Sequence, residues 1–243
     1  MNLVFRNWWM IGLLMLLVTA CRDQGDHGQL ETSVLEPTTV VEVTTIEATT
    51  QPTESDLGLG EVIGQRYYNN YFELEFETPD TWFVLSEDEM MTLMTKGQQV
   101  LKGQNEEIAK DLAEVDVLNL FGVFKYPMNE QVTLNPSLII TAEKLDASSG
   151  VVDGKTYLEA SKSILEQTGL PYEIGLPTAV VSSDLRAHGA LDAAIKFEDL
   201  EIKQRYIAFV SGDYLLSCVM TYEAGDGESG EVLRVMMNDV LGK

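Results

Sequence analysis

Four apolar-rich stretches follow one another near the end of the chain with almost no sequence between them: 178–185, 191–198, 201–211 and 214–223. Links this short cannot carry the crossover that parallel neighbours need, so these stretches form an antiparallel sheet. Gly212-Asp213 supplies a tight hairpin turn between the last two. A sheet of this kind buries its apolar faces only under other elements, and the remaining periodicity supplies helices to cover it. Ser86-Glu87-Asp88-Glu89 has the spacing of a capping box, and a helical pattern runs from there towards Glu114, with Gly97 and Gly103 inside it. Lys155 to Thr168 reads as a second helix, stopped by Gly169 and Pro171. Gly230 to Leu241 reads as a third, with Leu233, Met236, Met237 and Val240 on its buried side.

Earlier strands complete the pattern. In Tyr71 to Glu77, Phe72, Leu74 and Phe76 fall on one face and Glu73, Glu75 and Glu77 on the other, which is the alternation of a half-buried strand. Asn69-Asn70 precedes it as a turn and Thr78-Pro79-Asp80 breaks it. Val117 to Tyr126 and Ser137 to Leu145 are further strands. The expected fold is α+β, an antiparallel sheet covered by helices, over residues 58–243.

The chain before that domain is of two other kinds. Arg6 and the uncharged run Trp8 to Val18 make the n- and h-regions of an export signal, too short to span a bilayer, which takes ~20 residues. The run closes on Val18-Thr19-Ala20-Cys21, and the polar sequence starts at Arg22. From Arg22 to Asp56 there is no aromatic residue, and Thr32, Thr38, Thr39, Thr44 and Thr45 are interspersed with Glu31, Glu36, Glu42, Pro37 and Pro52. Such a stretch has too little apolar area to offset its chain entropy, so 21–57 reads as a disordered tether with an end-to-end distance of ~30 Å.

Leu17-Val18-Thr19-Ala20-Cys21 resembles the lipobox of bacterial lipoproteins. The resemblance implies that 1–20 is a removable signal and that Cys21 is the lipid acceptor and the mature N-terminus. Two acyl chains then hold the protein where one would let go, at ~0.8 kcal/mol per buried CH₂. Tyr67 to Trp82 (YYNNYFELEFETPDTW), followed by strands and a C-terminal helix, resembles the opening of PsbP/Mog1-like domains. That resemblance implies an α/β/α sandwich and a binding or assembly role, and it carries over no site residue. Gram-positive lipoproteins often carry such a domain behind a Thr/Ser-rich tether. Together the two place the protein on the extracytoplasmic face of a cell membrane.

Charge narrows the partners. The chain has 16 Lys+Arg against 39 Asp+Glu, a net charge of -23. Phosphate contacts require clustered Lys and Arg, which are absent, so nucleic acid is excluded as a partner. An acidic surface attracts a protein with a basic one.

Candidate chemistry is sparse. Gly154-Lys155-Thr156 opens a helix as a phosphate-binding loop would, but Gly150 leaves three residues between the glycines where four are needed, so a plain helix N-terminus is the expected role. His188 has Ser182, Ser183 and Asp184 near it in sequence, along one strand rather than converging, which does not make a nucleophile–base site. Cys218 lies among Leu216, Met220 and Tyr222 as a buried thiol. Glu73, Glu75 and Glu77, and the loop Asp226-Gly227-Glu228-Ser229-Gly230-Glu231, hold many carboxylates without calcium-loop spacing; a solvent face and a helix cap are the expected roles. Met90, Met91, Leu93 and Met94 read as core of the first helix. No cofactor, metal or catalytic set is therefore expected, and the domain reads as a non-catalytic binding module. The competing reading is a hydrolase of envelope glycans built on two facing carboxylates, whose separation a sequence does not reveal.

Overall fold

A computed structural model of the chain describes Leu57 and residues 60–104, 117–145, 150–181 and 186–242. The signal, Cys21, most of the tether, the end of the first helical pattern and Ser182–Asp184 lie outside the described residues. In order, the elements are β1 (Glu61–Ile63), β2 (Arg66–Asn69), β3 (Leu74–Glu77), β4 (Phe83–Val84), α1 (Glu87–Gln104), β5 (Val117–Phe124), β6 (Ser137–Lys144), α2 (Gly154–Leu165), β7 (Tyr172–Ile174), β8 (Thr178–Val180), β9 (His188–Lys196), β10 (Glu201–Ser211), β11 (Tyr214–Glu223) and α3 (Gly227–Val240).

β4-β5-β6-β11-β10-β9-β7 form one sheet, with β8 also paired to β9, and β1-β2-β3 form a second, smaller one. The described pairings are all antiparallel, as the short links require. β10 and β11 pair along their whole length, from Ile202↔Glu223 to Ser211↔Tyr214. The fold is α+β.

The large sheet is buried on both faces, which explains why its central strands read as near-continuous apolar runs. On β11, Leu215 and Val219 point to a core built with Met90 and Leu93 of α1 and Tyr157, Leu158, Ile164 and Leu165 of α2. Leu216, Cys218 and Met220 point the other way, to a core built with Leu233, Met236, Met237 and Val240 of α3, Tyr67, Leu74 and Phe76 of the small sheet, and Phe72 between its last two strands. Fully burying one such side chain contributes ~1.5–3 kcal/mol, so the two faces together set the stability of the domain.

Several boundaries differ from the sequence expectation. The strand expected from Tyr71 starts at Leu74, because 70–73 is a turn in which the Asn69 carboxamide accepts from Phe72 N (3.1 Å) and Glu73 adopts φ +53°. Phe72 still points inward and is fully buried. α3 starts at Gly227 rather than Gly230, because Asp226 takes the N-cap. β9 starts three residues early, at His188, where Gly189 and Ala190 carry little strand signal. The two- to four-residue strands β1, β2, β4 and β7 have no periodicity long enough to read.

Candidate functional site

The singled-out residues that lie within the described chain each have a definite place. Asp153 caps α2, its carboxylate accepting from Thr156 N (2.8 Å) and Thr156 Oγ1 (2.9 Å). The helix N-terminus is thereby already satisfied by an anion from its own chain. Lys155 pairs with Glu159 one turn on. Gly154 is present for packing: a methyl there would run into the Ala208 carbonyl group and stand 2.8 Å from Gly189 N. The Gly-Lys-Thr signal therefore marks a helix pressed onto β9 and β10.

The carboxylate row divides. Glu75 and Glu77 flank Arg66 across β2 and β3 at 2.8 and 2.5 Å, and the hydrogen bond to Glu77, with Tyr68 beside it, holds the guanidinium pKa above its ordinary value. Glu73 faces Arg186, whose guanidinium donates to the Phe72 and Glu73 carbonyls (3.2 and 2.7 Å) and lies over the Phe209 ring. Arg186 thus clamps the 70–73 turn onto the large sheet. In the acidic loop, Asp226 accepts from Ser229 N (3.0 Å), Ser229 Oγ (2.6 Å) and Lys125 Nζ (3.1 Å). Burial opposes its ionisation, but these donors outweigh burial and the carboxyl stays below the usual range. Its ligands are a helix cap and a lysine.

Cys218 is fully buried, and burial pushes its thiol up to about 12, so no thiolate is available near neutral pH. The His188 Nδ1 lies 2.7 Å from the Arg186 carbonyl oxygen. That oxygen only accepts, so Nδ1 is the donor in this contact. Met90 and Leu93 are core, Met94 is half-buried, and Met91 departs from the expectation by standing 58% exposed.

Two concave regions stand out among the described residues. The larger, of about 880 Å³, lies between α3 and β9–β10–β11. Its charged groups are Asp192 and Arg205, paired across β9 and β10 (3.2 Å), Glu231 and Arg234, paired on α3, Lys203, paired with Glu201 (2.5 Å), and Glu173, paired with Lys196 (2.7 Å); His188 also lines it. The smaller, of about 400 Å³, lies between β1 and the outer edge of β5, with Met91 and Glu87 of α1 along its rim.

One group that the sequence reading passed over is chemically the most unusual. Glu143 of β6 points to the α1/α2 face, is 8% exposed, and its Oε2 has no hydrogen-bond partner. Burial raises its pKa to about 8, so it is a neutral acid at pH 7. Tyr157 of α2 is its electrostatic neighbour, and the buried Ser217 hydroxyl on the same sheet face lies beside the Tyr157 hydroxyl. The period-two pattern from Ile139 places Glu143 on this face, which is the signal that finds it.

No protein-family model and no curated protein matches the chain. Among solved structures, it is similar to LpqN of Mycobacterium tuberculosis, described as involved in cell envelope biogenesis, at 11% identity and TM-score 0.37, covering 66% of this chain and 77% of that one. It is also similar to PA94 of Pseudomonas aeruginosa, a protein of unknown function, at 13% identity and TM-score 0.34, covering 54% of this chain and 83% of that one.

Proposed function

We propose that the chain is a bacterial lipoprotein, of Gram-positive type, anchored on the extracytoplasmic membrane face through Cys21, with 58–243 as a PsbP/Mog1-like, non-catalytic module that binds a protein with a basic surface. The observation that carries the binding part is the distribution of charge. The domain after Leu57 has 14 Lys+Arg and 31 Asp+Glu, a net charge of -17. The cations are largely engaged: Arg66, Lys125, Lys155, Lys162, Lys196, Lys203, Arg205 and Arg234 each sit against a carboxylate. Exposed Glu61, Glu87, Asp88, Glu130, Glu198 and Asp199 are in none of the described ion pairs. The outward field is therefore negative, which repels anionic polymers and draws in cationic proteins at a salt-dependent rate.

The anchor part rests on Val18-Thr19-Ala20-Cys21. No helix among the described residues is long and apolar enough to cross a membrane. Residues 21–57 serve as the tether that lets the domain reach a partner near the surface. Cys21→Ser removes the thiol that would take the lipid. The expected result is an unprocessed or soluble chain that no longer partitions into the detergent phase. A Cys21→Ser chain that matures and partitions as before would overturn the anchor. Turnover of an envelope glycan by the full chain, lost on changing a single carboxylate, would overturn the non-catalytic reading.

A further inference from the structure

At the outer edge of β5 the large sheet, an acidic rim and exposed apolar side chains meet. β4 covers that edge only at Phe83↔Phe124 and Val84↔Val123, after which Leu85 N–H donates to the Gly122 carbonyl (2.8 Å). Beyond Gly122 no described strand pairs with it, and the Leu120 carbonyl is held by the Tyr67 hydroxyl (3.1 Å). The register of β5 shifts between Asn119 and Phe121, so the run that the described strands leave open is Val117–Asn119, about 10 Å of strand. This run faces the 400 Å³ groove whose opposite wall is β1, a strand exposed along its whole length.

Natural sheets protect open edges with charge, a partner or a covering element. Here the flanking surface is instead apolar: Val62 is 39%, Ile63 60%, Phe83 47% and Met91 58% exposed. The charge beside it has one sign. Glu87 lines the groove, Asp88 follows it on α1, and Glu61 stands beside the lining residue Val62. Open backbone groups, apolar side chains and unpaired carboxylates together define what fits: an extended segment with apolar residues alternating with Lys or Arg.

We infer that β5 is completed by a short strand from the basic protein partner, inserted between β5 and β1. The inserted backbone pairs with Val117–Asn119, its apolar side chains cover Met91 and Val62, and its cations meet Glu61 and Glu87. This rests on the binding reading above and names the surface it uses.

The test starts from a displayed library of random twelve-residue peptides selected against the purified full chain in detergent. The expected winners alternate apolar residues with Lys or Arg, and their addition slows amide hydrogen exchange in 117–120. Methylating alternate backbone nitrogens of a winning peptide weakens it by about tenfold or more, because the ladder is lost while charge remains. Met91→Ser with Glu87→Gln, both at exposed positions, weakens it by a similar factor without changing the melting temperature. No enrichment, protection confined to another face, or affinity that survives methylation would each overturn the inference. A basic membrane protein captured equally well by wild-type and doubly substituted chains would overturn the β5 site and leave the binding reading standing. Capture by neither would overturn that reading itself.

Discussion

Glu143→Gln is expected to raise the melting temperature by about 10 °C at pH 9 and to change it little at pH 5. In the fold this carboxyl is nine-tenths buried, has an unpartnered oxygen, and is raised by burial to about 8 from 4.5. A raised carboxyl pKa means that the folded state holds its proton more tightly than the unfolded chain does. Its stabilising effect is therefore complete below the unfolded value and is lost as pH climbs to the folded one. Above pH 8 the loss reaches roughly 4 kcal/mol at 1.36 kcal/mol per pKa unit, and each kcal/mol moves the melting temperature of a domain this size by about 2–4 °C. Glutamine keeps the shape without the titration. The check is a series of thermal unfolding curves from pH 4 to 9.5 on both chains. Every other group titrates alike in the two, so the difference between them isolates Glu143. It should grow by up to about 1.4 kcal/mol per pH unit between the two pKa values. A difference flat with pH would mean that the carboxyl is charged in the fold.

Gly154→Ala is expected to destabilise the domain by more than about 4 kcal/mol, lowering the melting temperature by about 10 °C or more. Helix propensity alone argues for the opposite sign, since Ala is better than Gly by ~1 kcal/mol. Packing decides, because the new methyl would meet backbone on β9 and β10 rather than a side chain that can swing away. The Ala208 carbonyl carbon lies 2.5 Å from the new methyl position and Gly189 N 2.8 Å. α2 would have to lift, taking Tyr157 and Leu158 out of their core. Gly227→Ala is the matched control, also at the first position of a helix and with nothing within 4 Å of its new methyl. Thermal unfolding of both variants should separate them by at least about 10 °C. Equal melting temperatures would show that the α2 contact is soft.

Long elements were legible because their periodicity outlasts local noise. β10 and β11 lie where their long apolar runs and the Gly212-Asp213 turn put them, and the antiparallel sheet follows from the short links. The inward face of Phe72, Leu74 and Phe76 was readable even though the strand begins later, since burial follows period two while hydrogen bonding depends on the turn at Asn69. The strands β1, β2, β4 and β7 were not readable, because pairing across the sheet, rather than their own sequence, makes them strands. The α2 N-terminus shows a different limit. The glycine spacing already turned Gly-Lys-Thr from a phosphate loop into a plain helix start, but the close packing of Gly154 on Ala208 that requires the glycine is visible only in the fold. Glu143 looks like the polar end of a strand until α2 covers it, and the β5 groove depends on β1 and α1, which the sequence does not place beside it.

Binding of a basic protein by a tethered acidic domain is most directly tested by crosslinking the full chain in its native membranes at rising salt. Acidic surface carboxylates activated for coupling to lysine supply the crosslinks. The expected result is a lysine- and arginine-rich membrane or envelope protein joined to this domain. Its yield should fall as salt rises from 0.05 to 0.5 M, because screening shortens the reach of exposed charge to ~10 Å at 0.1 M and less beyond. Loss of the same crosslink in the Cys21→Ser chain would tie binding to the anchor. A yield indifferent to salt, or crosslinks scattered over proteins with no excess of lysine and arginine, would contradict the account.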